Sequence, residues 1–305
     1  LKAYEQVVQR AGKFENDPWP EKGGAQLVRF LRPRLEAALK ADDDFELINL
    51  FHRNGPFADR LYAGTELLLK VAEAHRRLGF PIESARLFQS LIRDSKAEAF
   101  HDVALMGLGD SYLEQKDMRA ARAVFERYRL QFPVGRFAGQ ALIGILTSFE
   151  GEGNTSGLVK LGKQWLIHNP RHPDRALIQL KVADALRQAK RDAEAAPLYE
   201  SVLKAGMDLS ALDRLRYADV LARLNRQEPA LALYKQALIA GLEPEQEAWA
   251  QFQIVQLARG VKREEFARNG LRALNENSDS LVRRMAAVLQ TELPEPTSAA
   301  GGKKR

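Results

Sequence analysis

The chain has 305 residues, of which 45% are hydrophobic and 28% charged, a balance that indicates a folded protein and excludes an intrinsically disordered one. It contains no cysteine, which excludes disulfide frameworks, thiolate metal sites and cysteine nucleophiles. Its net charge of +6 comes from 46 basic and 40 acidic residues spread along the whole chain, so the charge alone does not favour nucleic-acid binding.

The first 60 residues are predicted to form N-terminal helices that are less regular than the rest of the chain. Prolines and glycines between residues 14 and 24 interrupt the first helical pattern. The pattern over residues 25–40 contains Pro33, which is expected to kink the helix or to open a new turn. Acidic residues 42–44 then cap a helix that runs through Phe51. This pair has the form of a degenerate copy of a repeat that becomes regular from residue 61 onward.

The clearest pattern lies between Leu105 and Pro133, where two packed helices are predicted. Leu105, Leu108, Gly109 and Tyr112 recur at steps of three and four residues and therefore share one face of a helix. Glycine inside a helix costs about 1 kcal/mol relative to alanine, so Gly109 is expected to mark the close approach of a second backbone. The second helix is predicted from apolar residues at helical spacing, namely Ala120, Ala121, Val124, Phe125 and Tyr128.

Related helix pairs recur at intervals of 35 to 37 residues. The position of Gly109 is taken in the other copies by Ala72, Leu146, Ala183, Ala218 and Ile254. In the second helix, small and aromatic residues return at matching positions, namely Ala121 and Phe125, Ala195 and Tyr199, and Ala230 and Tyr234. The sequence therefore predicts six helix pairs over residues 61–276.

The spacing of these residues resembles the tetratricopeptide repeat, a helix pair of about 34 residues. The residues that match the family pattern are Leu108, Gly109, Tyr112, Ala121, Phe125 and Pro133. Leu105 departs from it, because the family favours tryptophan at that position. The resemblance implies an all-α, right-handed superhelical solenoid of antiparallel helix pairs, with longer turns between copies accounting for the longer period.

The two ends of the array are predicted to differ from its centre. Residues 277–293 are expected to form a helix that caps the stack, because a terminal repeat must shield its neighbour from water. Residues 294–305 have no apolar periodicity and are predicted to form a disordered tail. The chain begins at Leu1 rather than Met and shows no signal-peptide pattern, so we expect a fragment of a longer protein.

The resemblance also implies which residues face a partner, because in this family the first helix of each pair lines a concave groove. One residue after the position of Gly109 there is a largely acidic row, which consists of Glu73, Asp110, Thr147, Asp184, Asp219 and Val255. Three to five residues after that position there is a mostly basic row, which consists of Arg76, Arg77, Glu114, Arg187, Arg223 and Arg259. These rows are predicted to hold a peptide or partner protein by charge complementarity. In the alternative interpretation the rows pair with each other, as in Asp184 with Arg187 and Asp219 with Arg223.

A carboxylate clamp of the kind found in some family members is not expected. Those members grip a C-terminal carboxylate with a lysine and an asparagine on the first helix. The matching positions here hold Leu69 and Glu73, and then Met106 and Asp110. An acidic residue at such a position would repel the carboxylate of the ligand.

No catalytic or cofactor-binding motif is found in the sequence. His168 and His172 have the spacing of two metal ligands, but Pro170 and Pro173 prevent one helix from presenting both. The glycine-rich residues 151–157 lack the lysine of a phosphate-binding loop and are predicted to form a turn. The chain is therefore predicted to have no enzymatic activity, no cofactor and no metal site.

Together these patterns predict a non-catalytic scaffold that binds another protein or a peptide. The longest uncharged window, residues 137–149, is too short to cross a bilayer. The segments QFPVGRFAGQAL and HNPRHPDRALIQL resemble those of bacterial envelope scaffolds, which favours a periplasmic or membrane-tethered location over a cytoplasmic one. Two alternatives are kept, a helical accessory domain of a larger enzyme and, less favoured, a nucleic-acid binder. Self-association is left open.

Overall fold

The computed structural model describes residues 19–53, 65–260, 264–277 and 280–291 of the chain. Over these residues the regular structure consists of fifteen α-helices and one 3₁₀-helix, without a β-strand. The predicted all-α solenoid of helix pairs is therefore confirmed. The interpretations that concern residues 1–18 and the tail at residues 294–305 lie outside the described residues.

The chain divides into two compact units, Leu1–Leu158 and Val159–Arg305, which we describe separately. The helices of the first unit are α1 (Trp19–Lys40), α2 (Asp44–His52), α3 (Glu66–Arg77), α4 (Pro81–Arg93), α5 (His101–Glu114), α6 (Met118–Gln131) and α7 (Ala138–Gly151), with a 3₁₀-helix at Ser95–Phe100. Helix α1 continues through Pro33 as a single element, so the predicted new turn does not form there.

The division between the units falls within helix α8 (Thr155–His168). The remaining helices of the second unit are α9 (Arg175–Gln188), α10 (Asp192–Lys204), α11 (Ala211–Arg223), α12 (Gln227–Ala240), α13 (Pro244–Gly260), α14 (Glu264–Asn275) and α15 (Ser280–Thr291). The last of these occupies the segment for which a capping helix is predicted. Its Ala286 and Leu289 are buried in one cluster with Leu271 and Leu274 of α14.

Six of the helix pairs share the same turn geometry between their two helices. The turn residue has a left-handed backbone with positive φ in each of Asp42, Gly79, Lys116, Gly153, Lys190 and Asn225. Successive members of this set are 37, 37, 37, 37 and 35 residues apart, which is the period of the predicted copies. Lys116 adopts this conformation at a cost of roughly 1 kcal/mol. The next residue, Asp117, then caps α6 by accepting a hydrogen bond from the Ala120 amide at 3.0 Å.

The core of the first unit is built around the ring of Phe125, which lies between two glycines. A Cβ atom on Gly109 of α5 would come within 2.5 Å of this ring, and a Cβ on Gly144 of α7 would clash with its other edge. Phe125 is 1% exposed and Ala121 is fully buried. The prediction that Gly109 allows a close approach, with Phe125 filling the space beside it, therefore matches the structure.

The second unit uses alanine and tyrosine at the corresponding core positions. Ala183 and Ala218 are fully buried, as are Tyr199 and Tyr234 of the second helices. Tyr199 also stacks on Tyr217, with ring centroids 5.0 Å apart and planes 16° apart. A buried tyrosine must place its hydroxyl group against a hydrogen-bond acceptor, and this requirement shapes the surface described below.

The sixth helix pair is displaced by one residue from its predicted register. In the five preceding pairs the first helix ends five residues after the position of Gly109, whereas α13 ends at Gly260. That position in α13 therefore belongs to Val255, which is fully buried, and not to Ile254. Since both residues are apolar and β-branched, the spacing of the sequence could not choose between them. Val255 consequently does not belong to the predicted surface row.

Candidate protein-binding faces

The predicted binding residues lie on the first helices of the pairs. We define the first-helix face of the first unit by the exposed sides of α3, α5 and α7, and that of the second unit by those of α9, α11 and α13. The residues that follow the position of Gly109 are all half-buried on these faces, namely Glu73, Asp110, Thr147, Asp184 and Asp219. The side chain of Arg259 lies outside the described part of the structure.

In the second unit, Asp184 is the centre of a hydrogen-bonded group. Its carboxylate accepts a hydrogen bond from the hydroxyl of Tyr199 at 2.5 Å. It also accepts one from Arg216 of α11 at 2.5 Å and a longer one from Arg187 at 3.5 Å. Burial, followed by the nearby charge of Asp184, raises the pKa of Tyr199, so the phenol remains a neutral donor. Asp184 thus links α9, α10 and α11.

Asp219 repeats this arrangement one helix pair later with a different second donor. The hydroxyl of Tyr234 donates to its carboxylate at 2.6 Å, and the indole nitrogen of Trp249 on α13 donates to the same oxygen at 3.0 Å. Burial and the charge of Asp219 raise the pKa of Tyr234. The ring of Trp249 is 44% exposed and stacks on Phe252, with centroids 5.9 Å apart.

Both described arginines of the basic row in the second unit are paired with an acidic residue, one of them with a residue outside the predicted rows. Of the two predicted pairs, Asp184 and Arg187 are in contact, whereas Arg223 donates two hydrogen bonds to Asp192 of α10, at 2.7 and 2.8 Å. Asp192 raises the pKa of the Arg223 guanidinium through these bonds. The contact of Arg223 with Asp192 thus joins α11 to α10, whereas pairing between the two rows, the alternative interpretation, is seen here for Asp184 with Arg187 and not for Asp219 with Arg223.

The first unit shows the same use of its predicted arginines. Arg77 donates two hydrogen bonds of 2.6 Å to Asp44 of α2, and this contact lowers the pKa of the Asp44 carboxyl. Arg76 of α3 donates to Glu114 of α5 at 3.0 Å. Glu73 is 3.2 Å from the ammonium group of Lys70 on its own helix. Glu73 and Arg77 also line a cavity of about 950 Å³ among the residues of α1, α2 and α3.

Asp110 is the exception among these acidic residues. Among the described residues, none donates a hydrogen bond to its carboxylate or forms an ion pair with it within 4.0 Å. Fifteen residues later, where Asp184 and Asp219 have a tyrosine, the chain has Phe125. The residue that corresponds to Arg216 is Gly144. Burial raises the pKa of Asp110, and the positive charge of Arg76 opposes that rise only in part.

A pattern in the sequence corresponds to these contacts. An acidic residue on the first helix is followed after fifteen residues by a tyrosine in two copies, at Asp184 with Tyr199 and at Asp219 with Tyr234. These tyrosines were assigned only to the core. Their rings do fill the core, but their hydroxyl groups determine whether the neighbouring aspartate is satisfied.

The two histidines with metal-ligand spacing make different contacts. The ring of His168 contacts the Gln164 carbonyl at 2.7 Å, and the ring of His172 packs against Trp165 at 4.9 Å between centroids. Across the part of the chain that the structure describes, no group of three histidine, aspartate or glutamate side chains could hold a metal ion. In the same residues, every helix is too short or too polar to span a membrane.

Comparison with known proteins identifies the fold. Residues 69–135 and 164–210 match the family model of the tetratricopeptide repeat. The C-terminal part of a TPR repeat-containing protein from Cytophaga hutchinsonii aligns with a TM-score of 0.63 at 12% identity, covering 84% of this chain and 98% of that one. A tetratricopeptide repeat protein from Parabacteroides merdae aligns with a TM-score of 0.54 at 12% identity, covering 87% and 99%. The search of curated protein sequences gives no match. The predicted resemblance to the tetratricopeptide-repeat family is therefore confirmed, and with it the repeat architecture that is generally used as a protein-interaction scaffold.

Proposed function

We propose that this chain is a non-catalytic scaffold that binds a partner protein on its first-helix faces, with Trp249 as the principal contact in the second unit. The observation that carries this proposal concerns the side chain of Trp249, which is exposed to solvent although its conformation is held by neighbouring residues. Its indole N–H is bonded to Asp219 and its ring is stacked on Phe252, while 44% of its surface is open to solvent.

A fixed aromatic side chain is a favourable binding contact. Tryptophan is among the residues that contribute most to protein interfaces, because it removes a large apolar surface from water. A side chain whose rotamer is already held loses little conformational entropy when a partner packs on it. Trp249 thus meets both conditions before a partner arrives.

Trp249 also belongs to an apolar row on the same face. Six residues before the position of Gly109, the second unit has Leu177 on α9, Leu212 on α11 and Trp249 on α13. Leu177 is 42% exposed and Leu212 is half-buried. The partner that fits this row is a segment of a protein chain whose apolar side chains are spaced to meet it. We propose that this row lines the peptide-binding groove that the family resemblance implies.

Binding, rather than catalysis, agrees with how the charged groups of this face are used. Asp184 and Asp219 accept hydrogen bonds from buried tyrosines, and Arg223 is held by both of its hydrogen bonds to Asp192. A general acid or base needs a group that is free to exchange a proton with a substrate. These side chains instead fix the helices that present Trp249.

The proposal is tested by affinity capture from a bacterial lysate and envelope extract, followed by measurement of Kd with the purified captured protein. We expect Trp249→Ala to weaken binding at least about tenfold, since a central aromatic contact contributes about 2 kcal/mol or more. Ile239→Ala is the matched control, because Ile239 is 88% exposed but lies on the second helix α12. If the two variants bind the partner equally well, the second-unit face is not the binding surface.

The envelope location stays a prediction. The sequence of the full gene product would support it by showing a signal peptide or a membrane anchor upstream of Leu1.

A further inference from the structure

We infer that Asp110, on the first-helix face of the first unit, is a binding site for a lysine or arginine side chain of a partner protein. This inference rests on the proposed scaffold function and adds the charge of the partner segment to it. It comes from comparing one repeat position in the two units, where Asp110, Asp184 and Asp219 occupy the same place on their helices.

The two donors that satisfy Asp184 most closely are both absent at Asp110. Asp184 receives one hydrogen bond from its own helix pair, from Tyr199, and one from the next pair, from Arg216. The residues at these two positions for Asp110 are Phe125 and Gly144, which carry no polar side-chain atom. The carboxylate therefore keeps its acceptor capacity for a group from outside the unit.

Arg76, the cation whose charge acts on Asp110, is already engaged. Arg76 lies close enough to favour the ionised form of Asp110, but its guanidinium donates to Glu114 at 3.0 Å. Glu114 adds a second negative charge to the same stretch of α5. A cationic side chain from a partner would neutralise the Asp110 carboxylate and donate to it, and hydrogen bonds of this kind are the stronger ones. A carboxylate from a partner would be repelled there.

The surroundings of Asp110 suit the long stem of such a cation. Met106 lies one helical turn before Asp110 on α5, and Ile143 lies one turn before Thr147 on α7. Both apolar side chains are half-buried on the first-helix face. Lysine and arginine cover apolar surface with their methylene groups while the charged end reaches a polar partner. The site thus favours a basic residue over a short polar one.

The test uses the full chain and blocked, fluorescently labelled heptapeptides of sequence Ala-Leu-Ala-Xaa-Ala-Leu-Ala, where the central residue is arginine, lysine, glutamine or glutamate. Fluorescence anisotropy at low ionic strength, where charge attraction is least screened, gives each Kd. We expect the arginine and lysine peptides to bind at least about fivefold more tightly than the glutamine peptide, with the glutamate peptide weakest.

Three variants test whether Asp110 is responsible for the preference for a basic residue. Asp110→Asn removes the acceptor charge, and Phe125→Tyr supplies the internal hydroxyl that the second unit uses, so both are expected to abolish the preference for a basic residue. Glu126→Gln removes the same charge from the exposed side of α6 and should leave it intact. Circular dichroism confirms that each variant is folded. Phe125→Tyr keeps the aromatic ring and thus serves as a second test if Asp110→Asn folds poorly.

The inference is overturned if the wild-type chain does not prefer the basic peptides, if it binds none of them, or if Asp110→Asn keeps the preference. None of these outcomes depends on Trp249, so the capture experiment can succeed while this one fails. Conversely, a preference for basic peptides that is lost in Asp110→Asn would still support this inference if Trp249→Ala had no effect on capture.

Discussion

The two units place an aspartate at the same point of the repeat and use it differently. In the second unit, Asp184 and Asp219 are held by buried tyrosines and by a side chain from the next helix pair. In the first unit, Phe125 replaces the tyrosine and leaves Asp110 without a donor among the described residues. The loss of the phenolic hydroxyl, together with the loss of the donor from the next helix pair, therefore separates an aspartate that joins helices from one that is available to a ligand.

The packing around the aromatic ring differs in the same way. Phe125 is enclosed by Gly109 and Gly144, so two backbones approach its opposite edges closely. In the second unit the first of these positions is Ala183 and the second is Arg216, whose side chain reaches Asp184. The first unit thus gains close packing, while the second gains a polar link between successive pairs.

The largest effect is expected from removing the ring that the first unit packs around. Phe125→Ala should lower the free energy of unfolding by about 3–5 kcal/mol, because the ring is buried against two glycines that cannot fill the cavity. Urea unfolding followed by circular dichroism measures this loss. Arg127→Ala, on the exposed side of the same helix, should change it by less than about 0.5 kcal/mol. A loss below about 1 kcal/mol in Phe125→Ala would mean that the first unit is not organised around this ring.

A smaller effect is expected from breaking a tyrosine–aspartate bond in the second unit. Tyr234→Phe should cost about 1.5–3 kcal/mol, because the hydroxyl donates to an ionised carboxylate at 2.6 Å. Tyr112→Phe is the matched control, since the Tyr112 hydroxyl accepts only a neutral hydrogen bond from Gln89. Equal losses in the two variants, measured by urea unfolding, would show that the charged bond has no special role in the second unit.

The smallest effect concerns the pH dependence of stability. Burial raises the pKa of Asp110 in the folded chain above its ordinary value of 3.8, so folding becomes less favourable as the pH rises from there through the folded-state pKa. The Asp110→Asn variant has no carboxyl group at this position and therefore does not lose stability in this way as the pH rises. It should gain stability over the wild type across that interval, by less than about 1 kcal/mol, and keep the gain at pH 7. Thermal unfolding of both proteins between pH 3 and pH 7 measures the difference, and a gain that shrinks with rising pH would contradict this assignment.

The sequence allowed much of the fold to be predicted because the repeat is carried by local spacing. The close approach of Gly109 to Phe125 and the turn at Lys116 each involve residues within one helix pair. Hydrogen-bond partners that lie in different helices or helix pairs were harder to predict from the sequence. Arg223 binds Asp192, 31 residues away, and not Asp219 on its own helix, because the choice depends on how two pairs pack.

For the candidate site, the sequence indicated which helices carry the acidic row but not which contacts each acidic residue makes. The acidic row was identified on the first helices, yet its members were treated as equivalent charges. The structure separates them by the side chain that each aspartate meets fifteen residues later. That distinction requires knowing that the tyrosine hydroxyl points toward the surface, which helical spacing alone does not specify.

The most direct test of this difference between the units is an NMR titration of the Asp110 side-chain carboxyl carbon in the wild type and in Phe125→Tyr. In the wild type, the carboxyl should titrate above the ordinary aspartate pKa of 3.8. In Phe125→Tyr, the new hydroxyl should donate to the carboxylate as Tyr199 and Tyr234 do, and the pKa of Asp110 should fall. An Asp110 that titrates at its ordinary pKa in the wild type, or whose pKa is unchanged by the added hydroxyl, would contradict the account.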